Sequence, residues 1–167
     1  NLSIQNGPFR IVDALWSPDG QGLLLLGEAS AVLFFYRFDG NLKYLPPPKE
    51  GFETVKFSFN GSHIGILSRI SGKDALFTFT TGRMQSKKPF ELSTVHARTF
   101  EWSLDGKEIA VPDSACHYFL EIVDTKNNTS HTHMAYEGAL GISCTVFCPN
   151  SKLLAVGGFD GVIRILV

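Results

Sequence analysis

Long apolar runs are missing from this chain. None of its 167 residues belongs to a segment near the roughly 20 apolar residues that cross a bilayer as a helix. The longest runs, "GLLLLG" at 22–27 and "AVLFFY" at 31–36, have strand length. An excess of one charge is missing too. The net charge of −1 supplies no bulk field for nucleic acid or an anionic membrane, so neither is expected as a partner. Cysteine is scarce: Cys116, Cys144 and Cys148 are odd in number, which argues against a disulfide framework and fits a reducing compartment. No signal-peptide pattern is present, and helical periodicity is absent throughout.

The signatures of catalysis are missing as well. There is no Gly-x-Ser-x-Gly elbow, Walker loop or dinucleotide fingerprint. The Gly-containing stretches "GEAS" and "GGFDG" read as turns between strands. His131-x-His133 places two imidazoles on one face of a strand, and a third ligand would complete a zinc site. An exposed outer strand in "NNTSHTHM" is the favoured reading. Cys144 and Cys148 flank a strand that leads into a turn and read as core residues. Cys116-His117 lies in a loop without a third partner in sequence. Asn60, Asn127 and Asn128 fit the glycosylation triplet and read as ordinary turn residues. No catalytic residue, metal or cofactor is expected.

What the chain does have is 44% hydrophobic residues, 14 of the 167 being phenylalanine, and an internal repeat. "DALWSPDGQGLLLLG" from Asp13, "TVKFSFNGSHIGILS" from Thr54, "TFEWSLDGKEIAVPD" from Thr99 and "CTVFCPNSKLLAVGG" from Cys144 each give an apolar strand, a polar turn and a second strand. The turn markers Gly20, Gly61, Gly106 and Ser151 recur at intervals of 41, 45 and 45 residues. That period is the length of a four-stranded propeller blade, about 40–45 residues. Pro18 presets one turn, and Asp19-Gly20, Asn60-Gly61 and Asp105-Gly106 suit positive φ. Third strands are expected at 31–38, 74–80, 118–124 and 161–167, with weaker outer strands near 42–45, 90–92 and 132–135.

The expected fold is therefore an all-β propeller array of about four four-stranded blades, at 11–45, 52–92, 97–135 and an incomplete 142–167. An open arc would expose apolar faces and strand edges, so a fragment of a larger, seven-bladed ring is expected, with a self-dimerising half-ring or a compact four-blade ring as the alternatives. In "GFDGVI" the natural task of Asp160, followed by Gly161, is to cap backbone N–H groups in a turn. Candidate interaction surfaces are loops. "YLPPPKEGF" carries Pro47 and Lys49; it either presents a stiff surface or spaces two blades. "TGRMQSKKPF" carries Arg83, Lys87 and Lys88, either a solvated rim or a contact for an acidic surface such as the tubulin tail. Tyr136 in "MAYEGALGIS" is either a binding residue or buried between blades.

The repeats resemble the WD-repeat superfamily in degenerate form. No Trp-Asp or Gly-His pair is present, so the usual Asp–His–Ser/Thr–Trp network is incomplete in every blade. "AYEGALGI" followed by "CPNSKLLAVGGFDGVIRIL" resembles the centrosomal WD-repeat family known as Wdr-eight, the WD protein antisense to p-fifty-three. "FEWSLDGKEIAV" and "LWSPDGQGLLL" are similar to two further blades of that family, while Cys148 and the Pro-rich "PPPKEG" depart from it. The resemblance implies a non-enzymatic adaptor of the cytoskeleton at centrosomes or spindle poles. It implies binding to a coiled-coil anchoring protein, tethering of microtubule minus ends, in some lineages with a minus-end-directed kinesin, and support of cilium formation. Two other readings compete. "WSPDG" turns recur in propellers of prolyl-oligopeptidase-type hydrolases and TolB-like proteins, and an unrelated WD-repeat scaffold would share the blade pattern.

Overall fold

The computed structural model describes residues 10–38, 40–113, 119–135 and 141–167. The fold is all-β and made of four antiparallel sheets, each a meander in chain order. The first sheet contains β1 (Ile11–Trp16), β2 (Gly22–Gly27), β3 (Val32–Tyr36) and β4 (Leu42–Leu45). The second contains β5 (Val55–Phe57), β6 (His63–Ile70) and β7 (Lys73–Thr80), with an outer edge divided between β8 (Gln85–Ser86) and β9 (Phe90–Glu91). The third contains β10 (Glu101–Trp102), β11 (Glu108–Pro112), β12 (Phe119–Asp124) and β13 (Thr129–Met134). The fourth contains β14 (Ile142–Phe147), β15 (Leu154–Gly158) and β16 (Ile163–Leu166). Among the described residues no helix is long and apolar enough to cross a membrane.

Strand alternation places the core in slabs between successive sheets. In the first sheet Leu24 pairs with Phe34 and Leu26 with Val32, so all four point to one side. There they meet Val55, Ile64, Ile66 and Phe79 of the second sheet. The second slab joins Leu67 and Leu76 to Phe100, Trp102, Ile109 and Val123. The third joins Ala110 and Leu120 to Ile142, Leu154 and Val156. Each fully buried aliphatic or Phe side chain contributes about 1.5–3 kcal/mol. Gly65 is required by the second slab: a Cβ there would stand 2.8 Å from the Phe100 ring and 3.2 Å from Trp102. The divided edge of the second sheet follows from Pro89, which has no N–H to give to the ladder between β8 and β9.

The hairpin turn that opens each repeat has the same wiring in three sheets. Ser17 Oγ donates to Asp19 Oδ1 (2.5 Å), and Gly22 N donates to Ser17 Oγ (2.8 Å). Ser58 and Asn60, with His63 N, repeat this at 3.0 and 3.0 Å. Ser103 and Asp105, with Glu108 N, repeat it at 2.9 and 2.9 Å. Gly20, Gly61 and Gly106 supply the left-handed residue, at φ of 68°, 73° and 68°. The fourth turn differs. Cys148 replaces the serine and Ser151 the glycine, and Ser151 is not among the residues with positive φ.

Candidate protein-interaction surfaces

The sheets present two rims. One carries the repeated hairpin turns, and beside each lies the turn leading to the outer strand: Arg37 N donates to Gln21 O, Thr81 N to Ser62 O and Thr125 N to Lys107 O. The other carries the connections between sheets, including residues 46–54 and 92–100.

On the connection rim the polar side chains are consumed internally. Pro47 is exposed, but its carbonyl accepts Ser68 Oγ at 2.7 Å. Lys49 turns inward, against its expected role as a contact for partners. Its N–H donates to Leu67 O, and its side chain is 6% exposed. Its Nζ lies 2.7 Å from Asp74 Oδ1 and 2.8 Å from Ala97 O. Asp74 is fully buried, and its Oδ2 accepts Thr94 Oγ1 (3.1 Å) and Ala97 N (2.7 Å). A charge this deep persists only when paired and hydrogen-bonded, and this one is both. Lys49 is therefore a structural cation. Asp74 ties the second sheet to the connections on both sides of it, a role that the sequence reading assigned to no residue. The missed signal was the carboxylate directly after the "SGK" turn. Buried Asp113 accepts Val95 N (3.1 Å) and His96 N (3.0 Å), and buried Glu121 accepts Ser93 N and Ser130 Oγ, both at 2.7 Å. These carboxylates fasten the same connection to the third sheet.

Asp160 Oδ1 accepts Val162 N and its Oδ2 accepts Arg164 Nη1, both at 3.0 Å, beside left-handed Gly161. The basic triplet is dispersed. Arg83 is exposed in the turn between β7 and β8. Lys87 Nζ donates to Thr125 O of the third sheet. Exposed Lys88 lines a hollow with Ile70 and Lys73. Tyr136, Cys116 and His117 lie outside the described residues. His131 and His133 are exposed on β13, and among the described residues no group of three or more His, Cys, Asp or Glu could hold a metal.

The turn rim has the more distinctive chemistry. His63 is half-buried, lies tilted by 33° against Trp102 with ring centroids 5.9 Å apart, and has Nδ1 2.8 Å from Ser62 Oγ. Burial, followed by the Lys87 charge, lowers its pKa below 6.5. Asp105 is held at about 2, first by its side-chain bond to Lys107 and then by the Lys107 backbone. The Asp124 carboxyl is lowered chiefly by the backbone N–H of Asn127. The Cys148 thiol is lowered by Ser151 and the Asn150 backbone. Between the third and fourth turns a cleft of about 330 Å³ opens, lined by Leu104, Lys107, Lys126, Phe147 and Lys152.

No family model matches the chain. It is 26% identical over 167 residues to the WD repeat-containing protein WRAP73 of Mus musculus, a match covering 99% of this chain and 36% of that protein. The chain thus spans about a third of the length of this curated relative. Among solved structures, the C-terminal WD40 domain of Sif2 superposes with a TM-score of 0.67 at 18% identity, covering 99% of this chain and 45% of that one. The Dos1 propeller gives 0.68 at 10% identity, over 94% and 44%. TolB from Acinetobacter baumannii gives 0.61 at 13% identity, over 95% and 44%. These structures share the fold, and the WRAP73 match extends over 99% of the chain. The four sheets, their common turn and this similarity make the chain a degenerate WD-repeat β-propeller that resembles the Wdr-eight family.

Proposed function

We propose that the chain serves a non-enzymatic protein-interaction scaffold, an adaptor at the centrosome or spindle pole. In this reading it anchors microtubule minus ends through a coiled-coil partner, with a minus-end-directed kinesin as a second partner in some lineages. The observation that carries it is the similarity to WRAP73 along 99% of the chain, together with the "AYEGALGI" and "LLAVGGFDGVIRIL" stretches. The physical logic is that stacked sheets hold many loops rigidly, while polar groups on the connection rim are spent on bracing those loops. Arg83 and Lys88 are exposed, and we assign them to partner contact along with Tyr136. Likeness to TolB at 13% identity speaks to fold alone and supports no hydrolase or periplasmic role.

The test is affinity purification of the tagged full-length protein with mass spectrometry, combined with localisation in dividing cells. A coiled-coil spindle-pole protein among the partners, with signal at centrosomes or spindle poles, is the expected result. A diffuse or membrane signal without such a partner refutes the adaptor reading.

A further inference from the structure

The outer edge of the second sheet is held by few bonds. β8 has two residues, and Pro89 separates it from β9. Lys87 N donates to Thr78 O at 3.3 Å, and Gln85 lies opposite Thr80. Ser86, opposite Phe79, therefore falls between two hydrogen-bonded pairs, and its own N–H and C=O point away from the sheet. Met84, just before β8, has a left-handed φ of 45°, a strain that an extended backbone would relieve. The outer strands of the first and third sheets are longer, with four residues in β4 and six in β13.

The polar side chains of this edge are exposed and largely unengaged. Residues 82, 83 and 85–88 are exposed. Among the described residues the Ser86 hydroxyl makes no hydrogen bond, and the Arg83 guanidinium and Lys88 ammonium make neither a hydrogen bond nor an ion pair. Lys87 is engaged, through Thr125 O. The edge carries charge of one sign, because no Asp or Glu occurs between Asp74 and Glu91. Glu91 lies 3.5 Å from Lys73 Nζ. Asp124, beside Thr125, is spent on Lys126 N, Asn127 N and Asn127 Nδ2.

A protein kinase selects its acceptor partly by the charges that flank it. Ser86 is the only serine or threonine of the chain with an arginine three residues before it, and Lys88 follows it by two. Other exposed hydroxyls lack the flanks or the freedom. Ser71 sits in the tight turn between β6 and β7 at a φ of 50°. Thr129 has Lys126 three residues before it, but it pairs with Asp124 at the start of the six-residue β13.

We propose that Ser86 is a phosphorylation site for a protein kinase that reads basic flanks, with Arg83 and Lys88 as its recognition residues. Ser86 Oγ attacks the γ-phosphorus of the nucleoside triphosphate held by the kinase. The new O–P bond forms as the bond from that phosphorus to the β–γ bridging oxygen breaks. The hydroxyl proton passes to a carboxylate of the kinase, and the nucleoside diphosphate leaves. The phosphate brings a charge of about −1.5 to −2 to an edge with three positive ones. The site stands without the scaffold reading; within that reading it resets the charge of the surface assigned to partner contact.

The test incubates the folded full chain with ATP, magnesium and the catalytic domain of protein kinase C, a kinase that favours basic residues on both sides of the acceptor. Phosphate is located by peptide mass spectrometry, and initial rates are compared with those of a synthetic peptide of residues 81–90. Incorporation at Ser86 approaching one phosphate per chain is expected. S86A should abolish it, R83Q should slow it at least about tenfold, and K88Q severalfold. Lys126→Gln should leave the rate unchanged. Unaltered thermal melting of each variant excludes unfolding as the cause. If the peptide accepts phosphate and the folded chain does not, the edge does not open to a kinase and the proposal is overturned. Incorporation at Thr129 in place of Ser86, no incorporation in either substrate, or an unchanged rate in R83Q also overturns it. None of these outcomes depends on recovering partners, so failure here leaves the scaffold reading standing.

Discussion

Replacing Lys49 by methionine tests whether the connection rim is braced by a buried ion pair. The substitution keeps the apolar stem and removes the ammonium, leaving Asp74 fully buried with Thr94 Oγ1 and Ala97 N as its closest donors. Removing one member of a buried pair costs about 3–5 kcal/mol. Arg69 Nη1, 4.0 Å from Asp74 Oδ1, is placed to move closer and offset part of that, so the lower end, about 3 kcal/mol, is expected. For a chain of this length that corresponds to a fall in Tm of roughly 6–12 °C. Asp74→Asn should cost a comparable amount, because the Lys49 ammonium then loses its counter-charge. The double change K49M/D74N should cost less than the two single changes together, by about 1.5–3 kcal/mol. Urea unfolding of the four proteins closes the cycle. A loss below about 1 kcal/mol for K49M, or strict additivity, would show that the pair does not brace the rim.

Three further outcomes are expected. Ala29 and Ser30 adopt φ of 56° and 60°, and Ala31 N donates to Glu28 O, which is a type I′ turn without its preferred residues; the change A29N/S30G should stabilise the chain by about 1 kcal/mol in urea unfolding. The depressed pKa of His63 means the unfolded chain takes up a proton more readily, so stability is present at neutral pH and is lost as pH falls below 6.5; His63→Gln should flatten that slope in melts recorded across pH 5–7. Asp105, held at about 2 against an ordinary 3.8, adds stability that disappears as pH falls between those values. Being exposed, it is worth less than about 1 kcal/mol, and D105N should remove the effect from acid unfolding curves.

The repeat was legible in the sequence because it is written twice, in apolar alternation and in turn chemistry. Ser-x-Asp/Asn-Gly needs only neighbours within five residues, as the bonds from Gly22, His63 and Glu108 to Ser17, Ser58 and Ser103 demonstrate. The slabs were less legible: residues 23–26 are all leucine, and only the pairing of Leu24 and Leu26 with Phe34 and Val32 selects the face that meets Ile64 and Ile66. Lys49 was not legible. A lysine after three prolines reads as solvated, and its counter-ion lies 25 residues away in sequence. Nor was the dispersal of Arg83, Lys87 and Lys88, because Pro89 interrupts the outer strand and the three side chains leave the sheet at different places. The cleft beside Leu104 hides in the opposite way. It arises where the turn motif fails, at Cys148 and Ser151, and a failed motif announces no geometry of its own.

Tandem repeats usually unfold as a row of nearly independent units coupled only to their nearest neighbours. The Lys49–Asp74 pair alters that picture, since it gathers residue 49 before the second sheet, residue 74 within it and residues 94 and 97 after it into one buried knot. The second repeat therefore has no way to detach while its neighbours stay ordered. Its amides and those of the connection that follows should exchange with deuterium as a single cooperative unit. A fluctuation that frees one blade must release the seams on both sides, and that gives the rims a shared lifetime rather than separate ones.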